Sequence, residues 1–357
     1  MDTKPFFSIV MPVYGVEAYV KDAIDSILGQ AFQDFEILLV SDASPDHSAE
    51  ICRAYAEKYP CITLLEHDEN QGLSAARNTG LAHASGQYIC FMDPDDCVRG
   101  ELLTPVYRSL CDHPADILVY GLTEDYYDAD GNITHSVAIT PTAGCYAEPE
   151  ALHRCIFELE SKNLYGYAWN KFYSLAHLRK QSLQYEKVVL IEDIVFNIQF
   201  CQNITAMNCL DLAAYHYAKR GTASLTAAFV PAYYAVHRRR ISMLYEQAKS
   251  WGCDDRAVKA LLANLYTRYI FSALSRNCDK RAHMSRSDRK RWLREVFADP
   301  LFGELIPFAA AQSRAVRVMT GLLQRRALHS SLAFGRLLYF VQTYLKTAFS
   351  KLKQARG

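Results

Sequence analysis

Four short apolar runs, each followed by a stretch of different period, open the chain and constrain its fold more than any other feature. Residues 6–14 (FFSIVMPVY), 35–40 (FEILLV), 62–65 and 87–92 are apolar almost without a break, as expected of strands buried on both faces of a sheet. Between them, Val16, Tyr19, Val20, Ala23, Ile24, Ile27 and Leu28 recur at helical spacing, and so do Ile51, Cys52, Tyr55, Ala56 and Tyr59. An Ala-rich segment running to about His83 supplies a third helix. Strands separated by helices of this length imply parallel β-α-β units with right-handed crossovers. Open parallel sheets bind ligands outside the carboxyl ends of their strands. Asp42, Asp93, Asp95 and Asp96 all stand at such ends, so one cleft is expected to gather them.

The segment Asp93-Pro94-Asp95-Asp96 packs three carboxylates into four residues. Like charges this close repel, which points to a divalent cation that neutralises them. A plain surface turn is the competing reading, since Asp-Pro is a common turn former. Beyond it, residues 101–111 read as a helix, 116–120 as a strand, 148–159 as a helix and 169–173 as an aromatic-rich segment. Asp128 to Asn132 resembles the start of a calcium loop, but Gly131 falls at position 4 and no Glu stands at position 12, so a hairpin turn is expected. Glu192-Asp193 opens the apolar run 194–200, where acidic residues suit a first helical turn on dipole grounds alone.

The formal net charge of zero conceals a division. Residues 1–230 hold 15 Lys+Arg against 31 Asp+Glu, and residues 231–357 hold 24 against 8, so two domains with these boundaries are expected to do different work. Eleven scattered cysteines, an odd number without a Cys-x-x-Cys pair, argue against zinc and disulfides and fit a reducing cytosol. No signal-peptide pattern opens the chain, and no apolar run approaches the roughly 20 residues that span a bilayer. The basic half reads as helices over 233–251, 256–276 and 287–297. A last segment places Phe334, Leu337, Leu338, Val341, Leu345, Ala348, Phe349 and Leu352 on one helical face, with Arg336, Lys346, Lys351 and Lys353 away from its centre. Such a helix suits the interface of an anionic membrane; packing on its own domain is the alternative. The basic charge is spread over helices without a reading motif, so nucleic acid is not an expected partner.

Taken together, SIVMPVY at 8–14, Ser41-Asp42-Ala43-Ser44-Pro45-Asp46, residues 70–80, Asp93-Pro94-Asp95-Asp96 and Glu192-Asp193 resemble, in order and spacing, the family 2 glycosyltransferases. The likeness covers residues 6–225 and is to bacterial members that build capsular, exopolysaccharide or lipopolysaccharide chains. It implies an α/β fold of GT-A type, a mostly parallel sheet with flanking helices, followed by a C-terminal helical region. It also implies an inverting, metal-dependent transfer from a nucleotide-sugar, most often a UDP-sugar, to a hydroxyl of a glycan or lipid-linked glycan. Carried over by position, Asp42 would meet the base in a pocket lined by the backbone from Pro12 to Tyr14, and Arg77 the base or diphosphate. Asp93 would face ribose and metal, Asp95 would ligate Mg²⁺ or Mn²⁺, and Asp96 would lie toward sugar and acceptor. Asp193 would be the general base, and Arg220 would clamp the pyrophosphate.

Two departures stand out. Ala43 replaces a frequent Gly, so that turn is expected to avoid a positive φ, and Pro94 replaces a usual Ser, removing a backbone donor. The expected setting is the cytoplasmic face of the cell membrane, held peripherally. Two other classes are weighed. A nucleotidyltransferase lacks support, since no Gly-rich, Lys-bearing loop follows the first strand. A non-catalytic assembly partner would keep the fold and bind membrane or other subunits through the basic half.

Overall fold

The computed structural model describes residues 4–128, 130–188, 190–220, 229–310 and 314–344. The chain divides into two compact units, Met1–Ser224 and Leu225–Gly357.

The first unit is built on one mixed sheet. Strands β1 (Phe7–Val13), β2 (Phe35–Ser41), β3 (Ile62–Glu66) and β4 (Tyr88–Phe91) are mutually parallel in the order β3-β2-β1-β4. All seven residues of β1 are buried, which accounts for its unbroken apolar run. Helices α1 (Val20–Leu28), α2 (Ser48–Lys58) and α3 (Leu73–His83) are the crossovers. Past β4 the parallel order gives way. The sheet continues through β9 (Lys171–Ser174), antiparallel to both β4 and β6 (Ile117–Tyr127), then through β10 (Met207–Lys219), parallel to β6. Short β5 (Cys97–Val98) and β8 (Gly144–Tyr146) pair with β10, and β7 (Ile133–Ile139) pairs with β6 across the predicted hairpin. Helices α4 (Leu103–Asp112), α5 (Pro149–Ser161), α6 (Leu175–Gln181) and α7 (Glu192–Cys201) complete the unit.

Because β1, β2 and β4 run the same way, their carboxyl ends at Val13, Ser41 and Phe91 share one edge. The loops there are laced together. Asp42 N–H donates to Val13 O at 3.0 Å, Val16 N–H to Ser48 Oγ at 3.0 Å, and Glu17 N–H to Asp46 Oδ2 at 2.9 Å. Ala43 does take a left-handed φ of 53°, contrary to the expectation from its side chain. Strain of this kind persists where neighbours over-determine the backbone, and here Ser44 Oγ supplies the brace by donating to Val13 O and accepting from Gly15 N–H.

The second unit is helical: α8 (Tyr233–Ser250), α9 (Arg256–Arg276), α10 (Arg286–Ala298), α11 (Pro300–Leu305), α12 (Arg314–Gln324) and α13 (Leu328–Tyr344). Helix α9 is its axis, meeting α8, α11, α12 and α13. Asp255 caps α9 by accepting from Ala257 and Val258 N–H, and a Ser285/Asp288 capping box opens α10. The apolar face expected on the last helix is split. Phe334 packs edge-on against Phe271, whereas Leu337 is 55% exposed; Leu345, Lys346, Ala348, Phe349, Lys351, Leu352 and Lys353 lie outside the described residues. Among the described residues no helix is long and apolar enough to cross a membrane.

One contact decides how α3 lies on the sheet. A Cβ at Gly80 would stand 2.3 Å from Val10 Cγ1, so only glycine admits this approach of helix to strand. Gly80→Ala is expected to destabilise the first unit by about 1–3 kcal/mol through overpacking. Urea unfolding of Gly80→Ala and of Gly80→Ala/Val10→Ala checks it: the double variant should recover part of the loss.

Candidate active site

Helix α3 is held at its start by Asp42. The carboxylate is buried, and it accepts from Gln71 N–H at 2.9 Å, Gly72 N–H at 2.8 Å and His67 Nδ1 at 2.7 Å. Burial alone would raise its pKa, but the bonds from Gln71, His67 and Gly72 outweigh that and hold it below the usual value. Gly72, at the N-cap, has φ 94°, a conformation that glycine enters without steric cost. Asp42 therefore ties down the two residues that lead into α3, not the helix that follows it in sequence. His67 Nε2 continues the chain to Thr79 Oγ1 on the same helix, at 2.9 Å; nothing in the sequence pattern singled His67 out.

Further along α3, Arg77 is 1% exposed. Its Nη2 donates to Asp93 Oδ1 at 3.1 Å and its Nη1 to Asp193 Oδ1. The guanidinium lies 5.3 Å from the centre of the Tyr185 ring, which stacks on Phe196. So the structure brings together Arg77, Asp93 and Asp193, from the α3 body, the end of β4 and the first turn of α7. Both Nη atoms are turned to carboxylates, and Nε is buried without a hydrogen-bond partner among the described residues. Burial, together with the charges of Asp95 and Asp193, raises the Asp93 carboxyl to about 6 despite the opposing Arg77. Glu192 is pushed up to about 7 by burial and then by Asp193.

Asp193 also accepts from Ala168 N–H at 3.2 Å. That amide is placed by buried polar groups: Asn197 Nδ2 donates to Tyr165 O and Tyr167 O, and Lys171 Nζ to Leu164 O, Tyr167 O and Asn170 Oδ1. Burial lowers Lys171 to about 7.

Pro94 occupies the second position of a turn closed by Asp96 N–H donating to Asp93 O at 3.1 Å. Its fixed φ suits that position, and the amide it lacks is not needed there. The turn is tied to β10. Tyr215 Oη donates to Asp96 Oδ2 at 2.9 Å and accepts from Asp93 N–H at 3.2 Å, and Ala218 N–H donates to Asp96 Oδ1 at 2.8 Å. Asp96 is thus buried, and burial followed by the charges of Asp95 and Asp93 raises its pKa well above normal.

Asp95 is the carboxylate of this turn that faces outward, 49% exposed, with Arg220 Nη1 3.9 Å from Oδ2 and 2.7 Å from the Asp95 carbonyl. Arg220 lies over the Tyr19 ring at 4.0 Å and near Tyr127 at 5.3 Å. Beside β1, Pro12 is buried at the strand end and Tyr14 is 51% exposed. A stack of Tyr167, Trp169 and Tyr215, with ring centres 4.4 and 4.3 Å apart, walls the side nearest Asp96. Among the described residues no three His, Cys, Asp or Glu side chains converge as a protein-only metal cage. Asp95 and the second oxygen of Asp93 are hard donors, and two carboxylates completed by phosphate oxygens and water are a usual Mg²⁺ arrangement.

Breaking a buried ion pair from one side costs about 3–5 kcal/mol because the other charge stays behind. Arg77→Leu should lose stability on that scale in urea unfolding. Arg77→Leu/Asp93→Asn/Asp193→Asn should regain much of it; failure to regain any would show that the guanidinium acts by packing alone.

Residues 8–184 match the family model described as Glycosyl transferase family 2. The uncharacterized glycosyltransferase EpsJ of Bacillus subtilis (strain 168) is 30% identical over 229 residues, 64% of this chain and 65% of that protein. The minor teichoic acid biosynthesis protein GgaB of the same organism is 43% identical over 122 residues, 33% of this chain and 14% of that protein. The chain thus spans less than two thirds of the length of these curated relatives. Residues 1–349 of S. aureus TarS, in a crystal structure with UDP-GlcNAc, align over 96% of this chain and 93% of that one with a TM-score of 0.60 and 19% identity, a likeness of fold. The motifs, the GT-A-type sheet and the family match converge: through residues 8–184, the chain belongs to glycosyl transferase family 2.

Proposed function

We propose that residues 1–230 form an inverting, metal-dependent glycosyltransferase domain that moves a sugar from a nucleotide-sugar, a UDP-sugar foremost, to a hydroxyl of a glycan or lipid-linked glycan. Residues 231–357 form a basic helical domain that holds the protein peripherally at the cytoplasmic face of a membrane. Family membership and the naming of EpsJ as a glycosyltransferase support transfer chemistry. The UDP-GlcNAc in the TarS complex and the teichoic acid role in the name of GgaB support the donor and acceptor classes.

The observation that carries this reading is the Arg77 bridge between Asp93 and Asp193. It joins the carboxylate of a strand-end donor site to the carboxylate expected to receive the acceptor proton, and holds both in one frame. In this reading Asp193 takes the proton from the acceptor hydroxyl, a step worth about 10² to 10⁴ in rate. Its oxygens are aimed by Arg77 and by Ala168 N–H. Asp95 and Asp93 would hold Mg²⁺ or Mn²⁺. The ion, when bound, neutralises charge on the departing diphosphate. Arg220, braced over Tyr19, adds a fixed cation on the same side. Pro12, Tyr14 and the Asp42 turn shape the base pocket, and Asp96 keeps the turn that presents Asp95. Attack on the far face of the donor sugar inverts the anomeric carbon.

Metal-dependent hydrolysis across a panel of nucleotide-sugars tests the donor without knowledge of the acceptor. Asp193→Asn should leave UDP-sugar binding, read by calorimetry with Mn²⁺, nearly unchanged while turnover falls about 10² to 10⁴-fold. Asp95→Asn should instead weaken Mn²⁺-dependent binding. Full activity in Asp193→Asn would remove it from the base role, and a chain that binds no nucleotide would support a non-catalytic assembly partner.

A further inference from the structure

The second unit carries a basic cleft. Arg286, Arg289 and Lys290 of α10 face His329 and Arg336 of α13 across Leu332, enclosing about 110 Å³. Residues 276–294 hold eight Lys and Arg against two Asp. Both carboxylates are engaged locally, Asp279 with Arg281 at 2.8 Å and Asp288 with Ser285 and with Arg291 at 2.7 Å. Among the described residues no carboxylate lines the cleft. Arg289 is steadied by donating to Asn277 O at 3.3 Å and Met284 O at 3.1 Å.

Helix α13 turns one side to α9, where Gly335 lies against Leu274 and Ser275 Oγ donates to Gln342 Oε1 at 2.7 Å. At about 100° per residue, His329, Arg336, Leu337, Phe340 and Tyr344 fall together on the other side, within an arc of roughly 100°. Leu337, Phe340 and Tyr344 are 55%, 52% and 67% exposed, and the two rings lie 5.1 Å apart. Cations and uncovered aromatics therefore share one face.

We propose that this face docks on a membrane leaflet bearing anionic phospholipid, with a lipid phosphate seated among Arg286, Arg289, Lys290 and Arg336 and with Leu337, Phe340 and Tyr344 entering the acyl boundary. The proposal rests on the peripheral placement above and names the surface that achieves it. Charge complementarity selects the occupant: guanidinium and ammonium groups without a carboxylate call for phosphate. A free phosphate would leave the three apolar side chains unexplained, whereas aromatic and aliphatic groups beside cations suit the boundary between headgroups and acyl chains.

The test is flotation of the whole protein with vesicles of phosphatidylcholine alone and of phosphatidylcholine and phosphatidylglycerol in equal parts. Binding to the anionic vesicles alone is expected. Arg286→Gln/Lys290→Gln/Arg336→Gln should lower that partition coefficient roughly a hundredfold, since each cation near an anionic surface contributes about fivefold. Arg256→Gln/Arg268→Gln/Arg325→Gln, at exposed positions outside the cleft, removes equal charge and should cost far less. Leu337→Ser/Phe340→Ser should weaken binding with all cations kept. Equal losses in the two Arg/Lys sets would overturn the cleft while leaving peripheral placement intact. No binding of the unaltered chain to either vesicle would overturn both, and saturable binding of glycerol 3-phosphate without vesicle binding would replace the lipid with a soluble phosphate.

Discussion

A guanidinium buried between two carboxylates sets the terms for the rest of the first unit. Removing three charged groups from water is costly unless their geometry is held, and the architecture around Arg77 supplies that hold. Asp42 fixes the start of α3, Gly80 lets the helix settle onto β1, and Tyr185 stacked on Phe196 backs the guanidinium. On the far side, Ala168 N–H meets Asp193 only because Asn197 and Lys171 pin the preceding carbonyls. Sequence separations of 16 and 116 residues are closed by one side chain.

The parallel half of the sheet was legible because burial on both faces writes an unbroken apolar run, and the helices between wrote their own period. The turn at Asp93 was legible as a crowded carboxylate cluster. Less could be read where the cause lies far away in the chain. Tyr215, which ties that turn to β10, looks in sequence like any strand aromatic, and its role depends on a partner 119 residues distant. His67 is the same case. Asp42 and Arg77 were singled out by motif, yet their internal partners were not, since hydrogen bonds and ion pairs across elements leave no periodic trace. Ala43 shows the opposite failure. A propensity rule argued against a left-handed turn, and hydrogen bonds through Ser44 overrode it.

The mixed half was harder for a topological reason. Strand β9 enters antiparallel between β4 and β6, far from its neighbours in sequence, and β10 bulges between Leu210 and Tyr215. The bulge shifts register just before Tyr215 and Ala218, the two residues that reach Asp96. At the other end of the chain, a single apolar face drawn on a wheel divides once the neighbouring helix is known. Phe334 packs against Phe271, and Leu337 faces outward.

The tether on the approach to α3 bears on charge as well as on rigidity. A helix start, with its unpaired amides and positive dipole end, is a ready place for a phosphate. Here the protein's own carboxylate lies just before that start, taking the amides of Gln71 and Gly72, the two residues that lead into α3. An anion approaching this edge of the sheet meets that buried carboxylate beside the helix start, while Arg220 stands as a cation next to Asp95. The tether that gives Arg77 a rigid mount thus also sets a fixed negative charge at the mouth of the helix.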